Sequence, residues 1–133
     1  MSKRQIIEYW IKMAERDWVS VETLLKGKQY MHALFFAHLV IEKILKAYWI
    51  KDNENQNPPR SHDLEFIYSQ TDLELTPEFL DLIRVMNSWN LEGRYQDYKD
   101  KFYKTSTFDY TSGKLMQVEK FKAWLLLKLR KKK

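Results

Sequence analysis

Residues 29–52, QYMHALFFAHLVIEKILKAYWIKD, are apolar on almost every side of the helix that they would form. A surface helix carries one apolar face, whereas a helix that is apolar all round needs neighbours on several sides. The polar exceptions His38, Glu42 and Lys46 follow one another at four-residue steps and therefore share one narrow stripe. This stretch predicts the central helix of a helical bundle.

The remainder of the chain can supply the neighbours of this helix. With only three glycines and three prolines in 133 residues, turn signals are too sparse for a sandwich or a barrel. Helical periodicity and capping residues predict further helices over 3–26, 62–71, 76–91 and 113–130, with loops at 53–59 and 92–112. We therefore predict an all-α single domain over residues 1–133, an antiparallel up-and-down bundle of four long helices plus one short helix.

Composition narrows the chemistry and the cellular location. No cysteine is present, which excludes disulfides, thiolate catalysis and cysteine-based metal sites. No spacing of histidines and acids supplies three convergent ligands, so neither a metal nor a cofactor is expected. The N-terminus does not resemble a secretion signal, and no apolar run approaches a membrane span. We expect a soluble, cytoplasmic protein without a membrane partner.

The net charge of +5 is unevenly distributed. Residues 114–133 hold eight Lys and Arg against one Glu, a charge of +7, which leaves −2 for the rest of the chain. Such a tail can contact phosphates or acidic partners, but cations also suit the negative end of a helix. We favour the second interpretation, so RNA is not the favoured ligand.

Four segments in this order are similar to the successive motifs of the HEPN family, the higher eukaryotes and prokaryotes nucleotide-binding domain. They are MAERDW at 13–18, YMHALFFAHLVIEKILKAYW at 30–49, PPRSHDL at 58–64 and EGRYQDY at 92–98. The resemblance covers almost the whole chain. It implies the helical bundle already described, a homodimer and, in bacteria and archaea, association with a small nucleotidyltransferase.

One departure from the family concerns catalysis. Many HEPN proteins are metal-independent ribonucleases that use an Arg followed, after four to six residues, by a His. No histidine stands at that spacing after any arginine of this chain, namely Arg4, Arg16, Arg60, Arg84, Arg94 and Arg130. The resemblance therefore implies a non-nucleolytic member.

PPRSHDL can be interpreted in two ways. Structurally, the prolines end a loop, Ser61 caps the next helix and Asp63 suits its positive end. Functionally, Arg60 and His62 stand beside exposed helix amides and can bind an anion such as a nucleotide phosphate. Both interpretations can hold together.

GRYQDY combines the groups that a nucleotide site requires. Arg94 can bind phosphate through two hydrogen bonds, Tyr95 and Tyr98 can stack on a base, and Asp97 can hold a ribose hydroxyl or an arginine. The alternative is that Arg94 and Asp97 only pin the loop to the first two helices. The stripe on the central helix is the expected inner partner in either case.

Asp17 interrupts the apolar edge of the first helix, and we expect it to pair with a lysine or arginine because a buried unpaired carboxylate is costly. His38 is interpreted as a core residue rather than a catalyst. The leading hypothesis is a non-catalytic HEPN protein that binds nucleotide or a nucleotidyltransferase partner, in a two-gene toxin–antitoxin-like pair. The alternatives are a ribonuclease toxin with a displaced or degenerate site and a plain helical adaptor for protein association.

Overall fold

The computed structural model describes residues 1–131, and this part of the chain contains helices but no strand. The helices are α1 (Lys3–Lys26), α2 (Tyr30–Asp52), α3 (Leu64–Ser69), α4 (Pro77–Met86), α5 (Gln96–Thr105) and α6 (Phe108–Lys131). A 3-10 turn at Asn87–Trp89 follows α4. The all-α class is confirmed.

Helix α2 is the centre of the molecule. It contacts α1, α3, α5, α6 and the 3-10 turn, and its side chains are buried almost continuously from Ala33 to Ile50. Near its end the Tyr48 hydroxyl donates a hydrogen bond to the carbonyl of Leu125 in α6 at 2.6 Å. The prediction that residues 29–52 form the central helix of the bundle is therefore confirmed.

The two other long helices pack one face each on this core. Helix α1 begins with a reciprocal capping box between Ser2 and Gln5 and turns its apolar stripe towards α2. In α6 the apolar residues at steps of three and four are buried, namely Leu115, Val118, Phe121, Leu125 and Leu129. The ring centres of Phe121 and Phe79 also lie 4.6 Å apart, so α6 packs against α4 through these two rings.

The prediction of a long loop over residues 92–112 is wrong. Ten of these residues form α5, and α6 starts at Phe108 rather than at 113. Helix α5 buries only Phe102 and half-buries Tyr98 and Lys99, so its sequence carries no continuous apolar stripe that would predict a helix. The described residues therefore form three helices of 23–24 residues and three of six to ten residues, not four long helices and one short one.

The start of α3 also differs from the prediction. Asp63, not Ser61, caps this helix, and its carboxylate accepts hydrogen bonds from the amides of Glu65 and Phe66 at 3.0 and 3.2 Å. The Ser61 hydroxyl instead accepts a hydrogen bond from the Asp63 amide at 3.0 Å and so stabilises the turn before the cap. The helix consequently begins at Leu64 and leaves His62 outside it.

Across residues 1–131 no helix is both long enough and apolar enough to cross a membrane.

Candidate functional site

Two loops meet above the polar stripe of α2. One precedes α3 and carries His62; the other follows the 3-10 turn and carries Glu92. We call the group formed by His38, Glu42, Lys46, His62 and Glu92 the polar cluster. It joins the central helix to both of the segments that the sequence marks as candidate sites.

Glu42 organises the polar cluster from within the core. One carboxylate oxygen lies 2.9 Å from Nδ1 of His62, and the other accepts a hydrogen bond from Nζ of Lys46 at 2.9 Å. Glu42 and Lys46 are both buried, and the lysine ammonium also lies 5.7 Å from the ring centre of Trp10 in α1. The buried charges of Glu42 and Lys46 thus neutralise each other, because an unpaired charge in the low-dielectric interior is costly.

His62 stands at the surface end of this network. Its side chain is 46 % exposed, and its Nε2 lies 3.1 Å from the carboxylate of Glu92. His62 therefore bridges a buried acid and an exposed one, and neither ring nitrogen is left to face a substrate.

His38 supports this arrangement from below. Its Nε2 donates a hydrogen bond to the backbone carbonyl of His62 at 2.9 Å, which fixes the tautomer of the neutral ring. Nδ1 is then without a partner in the described structure and lies 3.7 Å from the carboxylate of Glu42. Burial lowers the pKa of His38 below its ordinary value, and the nearby Glu42 charge offsets only part of that effect.

This lowered pKa predicts a loss of stability in acid. Below a pH of about 6.5 the unfolded chain protonates this histidine more readily than the folded protein does, so the free energy of unfolding falls as pH falls, by at most about 1.4 kcal/mol per unit. His38→Gln keeps a donor for the His62 carbonyl but does not titrate. Urea unfolding between about pH 7.5 and pH 5 should show a smaller loss for this variant than for the wild type.

The control is His32→Gln, which alters an exposed histidine on the same helix and should retain the wild-type pH dependence. An unchanged acid loss in His38→Gln would show that burial of this ring does not couple folding to protonation.

Arg94 lies two residues beyond Glu92, in the turn that leads into α5. Its Nε donates a hydrogen bond to the carbonyl of Asn90 at 3.2 Å, and its guanidinium carbon lies 4.2 Å from the ring centre of Tyr98. Within residues 1–131 it forms no ion pair with an acid of the first two helices, as the pinning alternative requires, and Asp17 and Glu42 have other partners. The guanidinium is held by a ring and a carbonyl and remains exposed.

The other residues of GRYQDY have different environments. The Tyr98 hydroxyl donates to the carbonyl of Ser88 and so fixes the ring under Arg94. Tyr95 immediately precedes α5 and is 84 % exposed. Asp97 lies in the first turn of α5, and its carboxylate accepts a hydrogen bond from the Tyr98 amide at 2.9 Å. One tyrosine is therefore structural, and the other presents its ring to solvent.

Two further candidates lie apart from the polar cluster. Asp17 forms an ion pair with Lys43 of α2, which bears out the expectation of a basic partner but places it outside the cluster. Arg60 is exposed and forms no ion pair or side-chain hydrogen bond with residues 1–131. The structure thus brings together His38, Glu42, Lys46 and His62, with Arg60 in the same loop as His62.

Sequence reasoning missed two residues that build the site. Glu92 lies inside the quoted EGRYQDY segment, and as the acid nearest to a predicted binding loop it was a detectable partner for His62. Asn87 gave no signal in the sequence. Its side-chain oxygen accepts a hydrogen bond from the Leu64 amide at 2.9 Å, and its side-chain nitrogen donates one to the Asp63 carboxylate at 3.0 Å. These contacts exist only once α3 and α4 have packed. In residues 1–131 no three histidine or acidic side chains converge to hold a metal ion.

Comparison with known families decides the identity of this fold. The sequence model of the HEPN domain matches residues 7–129, which is nearly the whole chain and includes every residue of the polar cluster. The chain belongs to the HEPN family. No curated protein and no solved structure gives a significant match. This HEPN domain therefore includes the polar cluster and both of the loops that meet above it.

Proposed function

We propose that this chain is a cytoplasmic, non-catalytic HEPN protein that binds a nucleotide at the surface formed by residues 60–62 and 92–98. We propose further that it pairs with a small nucleotidyltransferase in a two-gene, toxin–antitoxin-like system. The observation that carries the proposal is the fixed but exposed guanidinium of Arg94, stacked on Tyr98.

Arg94 has the geometry of a phosphate ligand. Its Nε donates a hydrogen bond to the Asn90 carbonyl, whereas its two terminal nitrogens form no hydrogen bond with any of residues 1–131. An arginine that presents two donors side by side can bind a phosphate in two charge-assisted hydrogen bonds. Because Tyr98 already orients the group, little side-chain freedom is lost on binding. Arg60, in the adjoining loop, adds a second positive charge.

Tyr95 is the proposed base-stacking residue. A base stacked on an aromatic side chain typically contributes about 1–3 kcal/mol. We therefore expect Tyr95→Ala to weaken nucleotide binding by roughly fivefold to a hundredfold in calorimetric titration. Tyr103→Ala is the matched control, since Tyr103 is a 66 % exposed tyrosine of α5 outside the proposed surface. Equal effects of the two substitutions would contradict the assignment.

Absence of ribonuclease activity is the second part of the proposal. The family Arg–His spacing is missing, and both nitrogens of His62 lie against carboxylates. The purified protein should leave single-stranded RNA intact over hours in a gel assay. A displaced-site ribonuclease is the second candidate, because the Glu92 side chain that covers Nε2 of His62 is itself 57 % exposed and Arg60 stands two residues away. Cleavage that His62→Ala abolishes without unfolding the protein would establish that candidate.

We also propose a homodimer. Met116 and Leu127 of α6 are 72 % and 62 % exposed, and their separation of eleven residues, three helical turns, places them on one side of the helix. Two apolar side chains exposed on one face of a helix can bury their surface against a second copy of the chain. Analytical ultracentrifugation should give a dimer mass for the wild type and a lower one for Met116→Lys combined with Leu127→Lys. A monomer at every concentration would contradict the homodimer.

A further inference from the structure

A cleft of about 700 Å³ opens where α1 begins and where α2 and α6 end. Its apolar floor is formed by Ile7 and Ile11 of α1 and Leu129 of α6. This volume lies in the range of small-molecule sites, about 300–1,000 Å³. None of the lining side chains is aromatic, so the cleft suits an aliphatic ligand and not a stacked base.

The rim of the cleft is cationic. Lys3, Arg4, Lys51 and Arg130 line it, and the single acid among the lining residues is Glu8. These cations come from three different helices, so they converge on the cleft only in the folded protein. An apolar floor beneath a positive rim is complementary to a molecule with an aliphatic body and an anionic head.

Two of the rim cations have a local structural explanation. Lys51 and Arg130 stand in the last turns of α2 and α6, where cations are favoured by the helix dipole. Lys51 also pairs with Asp52, and the guanidinium of Arg130 lies 3.7 Å from the carboxylate of Glu15. These residues alone would not indicate a ligand.

Lys3 and Arg4 have no such explanation. They occupy the first turn of α1, at the positive end of the helix dipole, where cations are unfavourable and no acid is present. Neither forms an ion pair with any residue in 1–131. Arg4 also lines a second, smaller cleft on α1 and thus lies between two concave surfaces.

We propose that this cleft binds a free aliphatic anion, an alkyl carboxylate or alkyl phosphate, with its head at Arg4 and its chain on the floor. The cleft is distinct from the nucleotide surface, because its lining residues come from the ends of α1, α2 and α6 and include none of residues 60–62 or 92–98.

Calorimetric titration with monomeric hexanoate, octanoate, decanoate and decyl phosphate tests the proposal. The dissociation constant should fall by about fourfold for each methylene that enters the cleft. Decanol, which lacks the charge, should bind at least about tenfold more weakly than decanoate. No detectable binding of the carboxylates and the phosphate, or equal binding of decanol, overturns the proposal.

Two substitutions locate the ligand. Arg4→Gln should weaken decanoate binding about tenfold or more, since it removes the charge-assisted contact, and Ile7→Ser should weaken it severalfold. Arg16→Gln removes an exposed arginine of α1 that does not line the cleft and should have no effect. Arg94→Ala should also leave decanoate binding unchanged, which separates this proposal from that of the nucleotide surface. Thermal melts establish that each variant is folded.

Other occupants of the cleft give different results. Binding to phosphatidylglycerol vesicles without binding of monomeric decanoate would show that the cationic rim binds an anionic lipid surface and not a free anion. Conversion of a dimer to a monomer by Arg4→Gln, again without decanoate binding, would assign the cleft to a second copy of the chain. Either result overturns the proposal, as does undiminished decanoate binding in Arg4→Gln.

Discussion

Glu42→Ala should lower the free energy of unfolding by about 3–5 kcal/mol, because it leaves the buried ammonium of Lys46 without its carboxylate. The same change removes the inner partner of His62 and so loosens the loop before α3. The melting temperature should fall on the order of 10 °C or more. Urea and thermal unfolding, followed by far-ultraviolet circular dichroism, measure both quantities.

A second substitution distinguishes a lost charge pair from a lost contact. Glu42→Leu with Lys46→Met replaces both buried charges by apolar groups of similar size and should recover much of the stability that either single change loses. Glu65→Ala breaks an exposed pair with Arg84 and should change the melting temperature far less than Glu42→Ala. Equal losses in Glu42→Ala and Glu65→Ala would show that the polar cluster does not stabilise the core.

Much of this fold could be predicted because its apolar residues are regularly spaced. The all-round apolar stretch of α2 and the apolar stripe of α6 both specify burial directly, and both helices were predicted. Helix α5 could not be predicted in this way. It is polar apart from Phe102, Tyr98 and Tyr103, and the burial of Phe102 together with the contacts of Tyr98 stabilises a helix that local periodicity does not reveal.

Most residues of the candidate site were predictable, but Glu92, Asn87 and the pairing of the side chains were not. Spacing alone placed Glu42 beside Lys46, because residues four apart on a helix are neighbours. The contact of His62 with Glu92 joins two loops, and the stacking of Arg94 on Tyr98 requires α5, which was interpreted as a loop. Contacts between distant segments depend on the packed fold, and a single sequence contains no direct record of them.

Arg94→Ala should weaken nucleotide binding by roughly tenfold or more, the effect of losing a charge-assisted contact of about 1.5–3 kcal/mol. Stability should change little, because the residue is exposed and its stacking on Tyr98 is that of a surface cation–π pair. Lys101→Ala is the control for loss of one positive charge, since Lys101 is exposed on α5 outside the proposed surface. It should leave nucleotide affinity within about twofold of the wild type.

Calorimetric titration of the wild type and Arg94→Ala with nucleoside mono-, di- and triphosphates, beside thermal melts of both, tests nucleotide binding most directly. We predict saturable binding to the wild type, a loss of affinity of tenfold or more in the variant, and a melting temperature changed by no more than a few degrees. No binding to the wild type would contradict the proposal. A large fall in melting temperature with unchanged affinity would assign Arg94 to the scaffold instead of the site.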